Sequence, residues 1–298
     1  MKFLKLLAFS IVVCASFVYG LGVGSYHWFP FEKIKQLKQS SVETDFTFSR
    51  FGARNDVLSY DATREVISCP PATDRLGVLV SFGQSNSANS ADYLVKSDEV
   101  PNVINWYEGK CYEAKSPLLG ATGKNGEWIT LTAQSLVDNG TYDQVVILSL
   151  GVGGSPIAAW SKGSELNDRF LSEIAEIRKM YNVTDMIWHQ GETDFEWRVS
   201  SEQYVDSFSS LEESIRNAGV MAPIFMSIAS YCNGGEYPNA ITYAQNSLVD
   251  MFDGVELGVN TDELISTRMR REDGCHFNKH GQMAASQALA RIISTFHE

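Results

Sequence analysis

Residues 78–89 read VLVSFGQSNSAN, and the fold turns on how they are read. The stretch opens as an apolar run suited to a buried strand, then breaks after Phe82 into glycine and small polar residues. Such a break is either an ordinary turn or a strand end that delivers Ser85 to a reaction. Residues 77–81, 144–150, 185–189 and 224–228 are strand candidates, each rich in Val, Ile, Leu or Met and each ending near glycine or a polar turn. Between them Phe170, Ile174, Ile177 and Tyr181 recur at helical spacing, as do Tyr204, Phe208, Leu211 and Ile215. Ser200 and Gln203 are placed as a capping box for the second helix and Gly219 as its stop; residues 281–296 form a last helix. Strands separated by helices predict an α/β protein: a three-layer α/β/α sandwich around a mostly parallel sheet covered on both faces.

Ligands of such sheets gather at the C-terminal strand ends. Three polar clusters fall there: Gly83-Gln84-Ser85-Asn86, Gly151-Val152-Gly153-Gly154-Ser155 and Gln190-Gly191-Glu192-Thr193-Asp194. Acyl transfer by a serine needs a nucleophile, a base, a group that orients the base, and donors aimed at the developing oxyanion. Ser85 stands at a strand-to-helix turn where its own N–H can also serve. Gly153 and Gly154 let a backbone N–H approach without a side chain in the way. Gln190 can add an amide donor. The base comes from Asp273-Gly274-Cys275-His276, where a spacing of three lets Asp273 accept from His276 Nδ1 while Nε2 faces Ser85.

The ordered blocks GQSN, GGSPIAAW, QGETD and DGCHFNKHG resemble the SGNH (GDSL-like) hydrolase superfamily, in its sialate O-acetylesterase and acetylxylan-esterase branch. The resemblance covers roughly residues 74–298. It implies a Ser-His-Asp mechanism free of metal and cofactor, with acetylated carbohydrates as substrates. Carried over by position, Ser85 is the nucleophile, His276 the base and Asp273 its orienter. The oxyanion donors are then the N–H groups of Ser85 and Gly153 and the side chain of Gln190, with Gly154 the alternative to Gly153. Gln84, Asn86 and Glu192 support the site. Two other activities fit the same blocks: acetyl transfer from the same acetyl-serine to a sugar hydroxyl, and sugar binding without catalysis. Binding alone has no need of the serine, histidine and aspartate.

Other readings compete at single residues. Glu192 and Asp194 could act as a glycosidase acid/base pair, although bracing of the loop is favoured for Glu192. The parity of His189 turns it away from Gln190. His280, four residues after His276, has metal-ligand spacing but lacks a third clustered ligand and reads as a helix-start residue. Trp160 and Trp188 line either a sugar-binding surface or the core. Residues 110–125 and 231–239 are candidate specificity loops.

The 298 residues are 44% hydrophobic, enough for a large core, and carry a formal net charge of −12, which repels nucleic acid. No internal repeat or low-complexity tract is evident. Residues 6–23 form an uncharged apolar run after Lys2 and Lys5, read as a signal peptide cleaved after Gly20 or as an uncleaved membrane anchor. Tyr26, Trp28 and Phe29 suit a membrane interface and favour the anchor. The domain plan is therefore 1–23 signal or anchor, 24–73 stalk and N-terminal extension, and 74–298 esterase domain, exported to the periplasmic or extracellular side. Cys69, Cys111, Cys232 and Cys275 allow two disulfides in three possible pairings, or four buried thiols; Cys232–Cys275 with Cys69–Cys111 is the favoured pairing because the first would clamp the loop of the base. Asn139-Gly140-Thr141 and Asn182-Val183-Thr184 match the glycosylation acceptor pattern.

Overall fold

The computed structural model describes residues 57–232 and 234–298. The apolar run at 6–23 and most of the 24–73 extension lie outside the described residues. Among those described, no helix is long and apolar enough to cross a membrane.

The first half of the domain contains β1 (Val66–Ile67), β2 (Leu76–Gly83), β3 (Val103–Tyr107), β4 (Lys110–Glu113), α1 (Ile129–Asp138), β5 (Gln144–Ser149) and α2 (Glu165–Ile177). The second half contains β6 (Asp185–His189), α3 (Glu192–Glu196), α4 (Ser201–Asn217), β7 (Ile224–Ile228), α5 (Ala240–Met251), β8 (Val255–Asn260) and α6 (Lys279–His297). Among the described residues the strands form one eight-stranded sheet in the order β1-β4-β3-β5-β2-β6-β7-β8. Pairing is parallel from β3 through β8 and antiparallel only where β4 joins β1 and β3.

The pleat of β2 sends alternate side chains to two helical layers. Leu79 packs with Val145, Ile147, Ile187 and Phe225 beneath α1 and α6, through Ile129, Ala133, Leu136, Leu289 and Ile293. Phe82 points the other way and stacks on Phe170 of α2 at 4.9 Å; its register partner Trp188 lies 4.9 Å from it and 5.8 Å from Phe208 of α4. Trp160 joins this aromatic cluster, edge-on to Trp188. Trp160 and Trp188 are both 0% exposed, so the sugar-surface reading of these two tryptophans gives way to the core reading. The capping box stands as expected, with Ser200 Oγ accepting from Gln203 N and Gln203 Oε1 from Ser200 N.

Two sequence expectations change. Residues 57–73 are joined to the sheet rather than trailing from it, because β1 pairs with β4 and Cys69 is bonded to Cys111. The 110–125 segment begins as β4, so only its later part is a loop. Within the parallel sheet β2 is flanked by β5 and β6. The chain builds outward on the β5 side first and then on the β6 side, which makes the C-terminal end of β2 the switch point where such sheets open a crevice.

Candidate active site

The turn that leaves β2 is fixed by backbone before any side chain acts. Gly83 has φ +122, and a Cβ there would lie 2.1 Å from the His189 carbonyl oxygen, so only glycine lets β2 pass this close to β6. Gln84 N then donates to His189 O at 2.9 Å, and Ser85–Ser87 form one turn of 3-10 helix. Gln84 Oε1 accepts from Gly191 N, Thr193 N and Gln190 Nε2, knitting the first polar cluster to the third. Asn86 Nδ2 donates to Glu192 Oε1 at 2.8 Å and to Cys275 O at 3.3 Å. One amide thus ties the serine turn both to the third cluster and to the segment before His276. Ser85 is 9% exposed, against 3% for Gln84 and 2% for Asn86. Its hydroxyl has no hydrogen-bond partner among the described residues, and its N–H opens the 3-10 turn, where no carbonyl of the turn can receive it.

The loop before α6 holds the other two predicted residues. Asp273 Oδ2 lies 2.9 Å from His276 Nδ1, while Oδ1 accepts the N–H groups of Cys275 and His276 at 2.9 Å each. A carboxylate facing Nδ1 places the ring proton there and leaves Nε2 as an acceptor. Partial burial works to raise the Asp273 pKa, but the bonds from His276 and Cys275 outweigh it and hold the carboxyl below its ordinary value. The loop is locked from behind. Cys275 is bonded to Cys232, and the buried Arg270 donates to Cys275 O, Thr261 O and Leu264 O while lying over Phe277 at 4.2 Å. Both disulfides therefore follow the favoured pairing. A cavity of about 880 Å³ opens beside the loop, with Tyr231, Arg271 and Asp273 in its lining.

The donor set is where the structure departs from expectation. Gly153 is beside the serine, since a Cβ built on it would sit 4.0 Å from Ser85 Cβ. Its N–H, however, donates to Thr122 Oγ1 at 2.7 Å and so is already engaged. Gln190 is 0% exposed, and its amide hydrogens face inward to Gln84 Oε1, Ser155 O and Asp194 Oδ2. Its side chain braces the crevice floor, with the amide held by the buried Asp194 carboxyl and the Ser155 carbonyl beside it. Gly154 is exposed, with φ +69.

Glu192 and Asp194 are 2% and 0% exposed, which removes them from any role as a solvent-facing acid/base pair. Glu192 holds Asn86, as the bracing reading has it, and Asp194 caps Ile157 N at 2.9 Å. His189 faces Trp128 and Phe277, away from Gln190, and its Nε2 meets Thr261 Oγ1 at 3.0 Å. His280 stands in the first turn of α6, where Asn278 Oδ1 accepts its N–H. Two supports escaped the sequence reading. Gln245 accepts from Ala229 N and donates to Gln190 O; a glutamine at a core position among Ile241, Ala244 and Leu248 was its available signal. Thr122, in a loop without periodicity, had none.

A family model for carbohydrate esterases, sialic acid-specific acetylesterase, matches residues 76–295. Among solved structures, one protein from Arabidopsis thaliana aligns with a TM-score of 0.61 at 20% identity, over 76% of this chain and 99% of that one. NanS aligns at 0.51 and 14%, over 76% and 98%. A GDSL-lipase-like protein from Parabacteroides merdae aligns at 0.51 and 15%, over 74% and 96%. At these identities the likeness is one of fold. No curated protein matches the sequence.

Proposed function

Because this chain belongs to the carbohydrate esterase family of sialic acid-specific acetylesterases, and is thereby an ester-hydrolysing enzyme, we propose that it removes O-acetyl groups from sugars through an acetyl-Ser85 intermediate. The observation that carries this reading is the His276–Asp273 pair at 2.9 Å, on a loop that Asn86 ties directly to the serine turn.

In the proposed cycle Ser85 Oγ attacks the acetyl carbonyl carbon as His276 Nε2 takes the hydroxyl proton. The imidazolium so formed is stabilised by Asp273, whose lowered pKa keeps it ionised throughout. Collapse of the tetrahedral oxyanion breaks the ester C–O bond, and Nε2 returns the proton to the departing sugar oxygen. Water then attacks acetyl-Ser85, Nε2 accepts its proton, and acetate leaves as Ser85 regains its hydrogen. Two disulfides among the described residues fit work outside the reducing cytoplasm.

The test is acetate release from p-nitrophenyl acetate and acetylated sugars by wild type, Ser85→Ala and His276→Ala. We expect either variant to lose about four to six orders of magnitude in kcat, as serine triads do. Equal rates in all three would refute the assignment. Acetyl transfer to an added sugar at the expense of acetate would shift the reading to a transferase.

A further inference from the structure

Three observations around Gly153 converge on a residue outside the four blocks. On the side where a Cβ would project from Gly153, the heavy atoms within 4 Å among the described residues, its chain neighbours aside, are Thr122 Oγ1 at 3.4 Å and Ser85 Cβ at 4.0 Å. That open slot lies between the nucleophile and a hydroxyl. Thr122 is 3% exposed, and its oxygen accepts the Gly153 N–H at 2.7 Å. Its own hydroxyl proton has no acceptor among the described residues. Meanwhile the amide of Gln190 is spent on Gln84, Ser155 and Asp194, which leaves the site short of the donor that a tetrahedral oxyanion requires.

We propose that Thr122 is a catalytic residue whose hydroxyl donates to the oxyanion formed on the Ser85-bound acyl carbon. The proposal rests on the esterase reading above. The Gly153 N–H acts through it, because a hydroxyl that already accepts one hydrogen bond donates a stronger one. No bond is made or broken at Thr122: the O–H donates to the carbonyl oxygen as charge builds there and is released on collapse.

The placement of Thr122 is preorganised by backbone. Its N–H donates to Gly151 O at 3.0 Å, and its carbonyl accepts from Asn89 N at 3.0 Å, so it is fastened at once to the second cluster and to the segment that follows the serine turn. Asn89 closes the same loop through Leu118, accepting from its N–H at 2.7 Å and donating to its carbonyl at 2.9 Å. A hydroxyl held by its main chain pays no reorganisation when charge develops.

The experiment compares wild type, Thr122→Val and Thr122→Ser, with folding checked by circular dichroism. Two readouts are used: kcat and KM for acetate release, and the rate at which a fluorophosphonate labels Ser85, followed by intact mass. The second forms an oxyanion on phosphorus and is independent of the sugar. Thr122→Val is expected to lower kcat about 10²–10³-fold with KM changed less than about threefold, and to slow labelling about tenfold or more, while Thr122→Ser retains most of both. Labelling by Thr122→Val within threefold of wild type overturns the proposal, as does an equal loss in Val and Ser, which would mark a packing role. Wild type that labels but releases no acetate counts against the esterase reading alone, and the labelling ratio still decides Thr122.

Discussion

At the scale of single residues the most consequential group away from the reacting atoms is Asp194. It is fully buried beneath Gln190, and burial pushes its pKa up to about 7 against the opposing pull of bonds from Gln190 Nε2 and Ile157 N. Unfolded, it titrates near 3.8. Between those values the folded protein retains a proton that the unfolded chain has released, so stability falls as pH rises from about 4 to 7 and levels off above. At 1.36 kcal/mol per pKa unit the full swing is on the order of 4 kcal/mol. Asp194→Asn keeps an acceptor for Gln190 and Ile157 but cannot ionise. We expect its urea midpoint to fall less than that of wild type between pH 4.5 and 7.5; parallel curves would show that Asp194 stays ionised in the fold.

At the scale of elements, the proposed mechanism places its base on a loop held by three anchors: the Cys232–Cys275 disulfide, the Arg270 guanidinium under Cys275 O, and the Asn86 amide. Opening the disulfide by Cys232→Ser with Cys275→Ser frees the segment that carries the base. We expect kcat/KM to fall at least tenfold, besides a stability loss of about 2–4 kcal/mol. The paired Cys69→Ser and Cys111→Ser change frees only β1 and its edge and is expected to cost stability with kcat retained. Equal activity in both double variants would show that the clamp is not needed for catalysis. The same contrast explains which elements were legible in advance. β6 and β7 are buried throughout and carry apolar cores, Met186–Trp188 and Ile224–Met226, so their bounds at 185–189 and 224–228 were found as they stand. β8 is an edge strand with Leu257 exposed and Glu256 partly so, which dilutes the apolar signal in VELGVN. β3 carries Asn105, whose amide closes on Leu119, a polar residue where a buried strand is expected to be apolar. The Asp273–His276 contact was legible because a spacing of three residues lets one short loop hold both groups, and the turn at Ser85 because an apolar strand breaks there into glycine. The inward turn of Gln190 was not, since it depends on where the chain brings Gln84, Ser155 and Asp194 together.

At the scale of the whole molecule, one strand and one helix each span the distance between the candidate-site end of the sheet and its opposite end. β6 begins at Asp185 and ends beside Gln190, and α6 begins after the His276 loop and ends at His297. Their far ends meet. Asp185 Oδ1 lies 2.7 Å from His297 Nε2, and Oδ2 accepts from Tyr142 OH and Thr184 Oγ1 at 2.7 Å each. The bond to Asp185 raises the His297 pKa above 6.5, helped by the carboxylate charge and opposed by partial burial. A histidine raised on folding contributes its stability in full below the unfolded value of 6.5 and loses it as pH climbs through the folded value. His297→Gln is therefore expected to destabilise by about 1–2 kcal/mol at pH 5.5, the scale of a hydrogen bond to a charged group, and by less at pH 9. Four residues of strand rise at about 3.3 Å each separate Asp185 from His189, about 13 Å in all, so kcat at pH 7.5 is expected to be unchanged. Thermal melts and acetate release across that pH range check both parts. A destabilisation that does not vary with pH would remove the ionic character of the lock, and a fall in kcat without a fall in melting temperature would show that the two ends of the sheet are coupled.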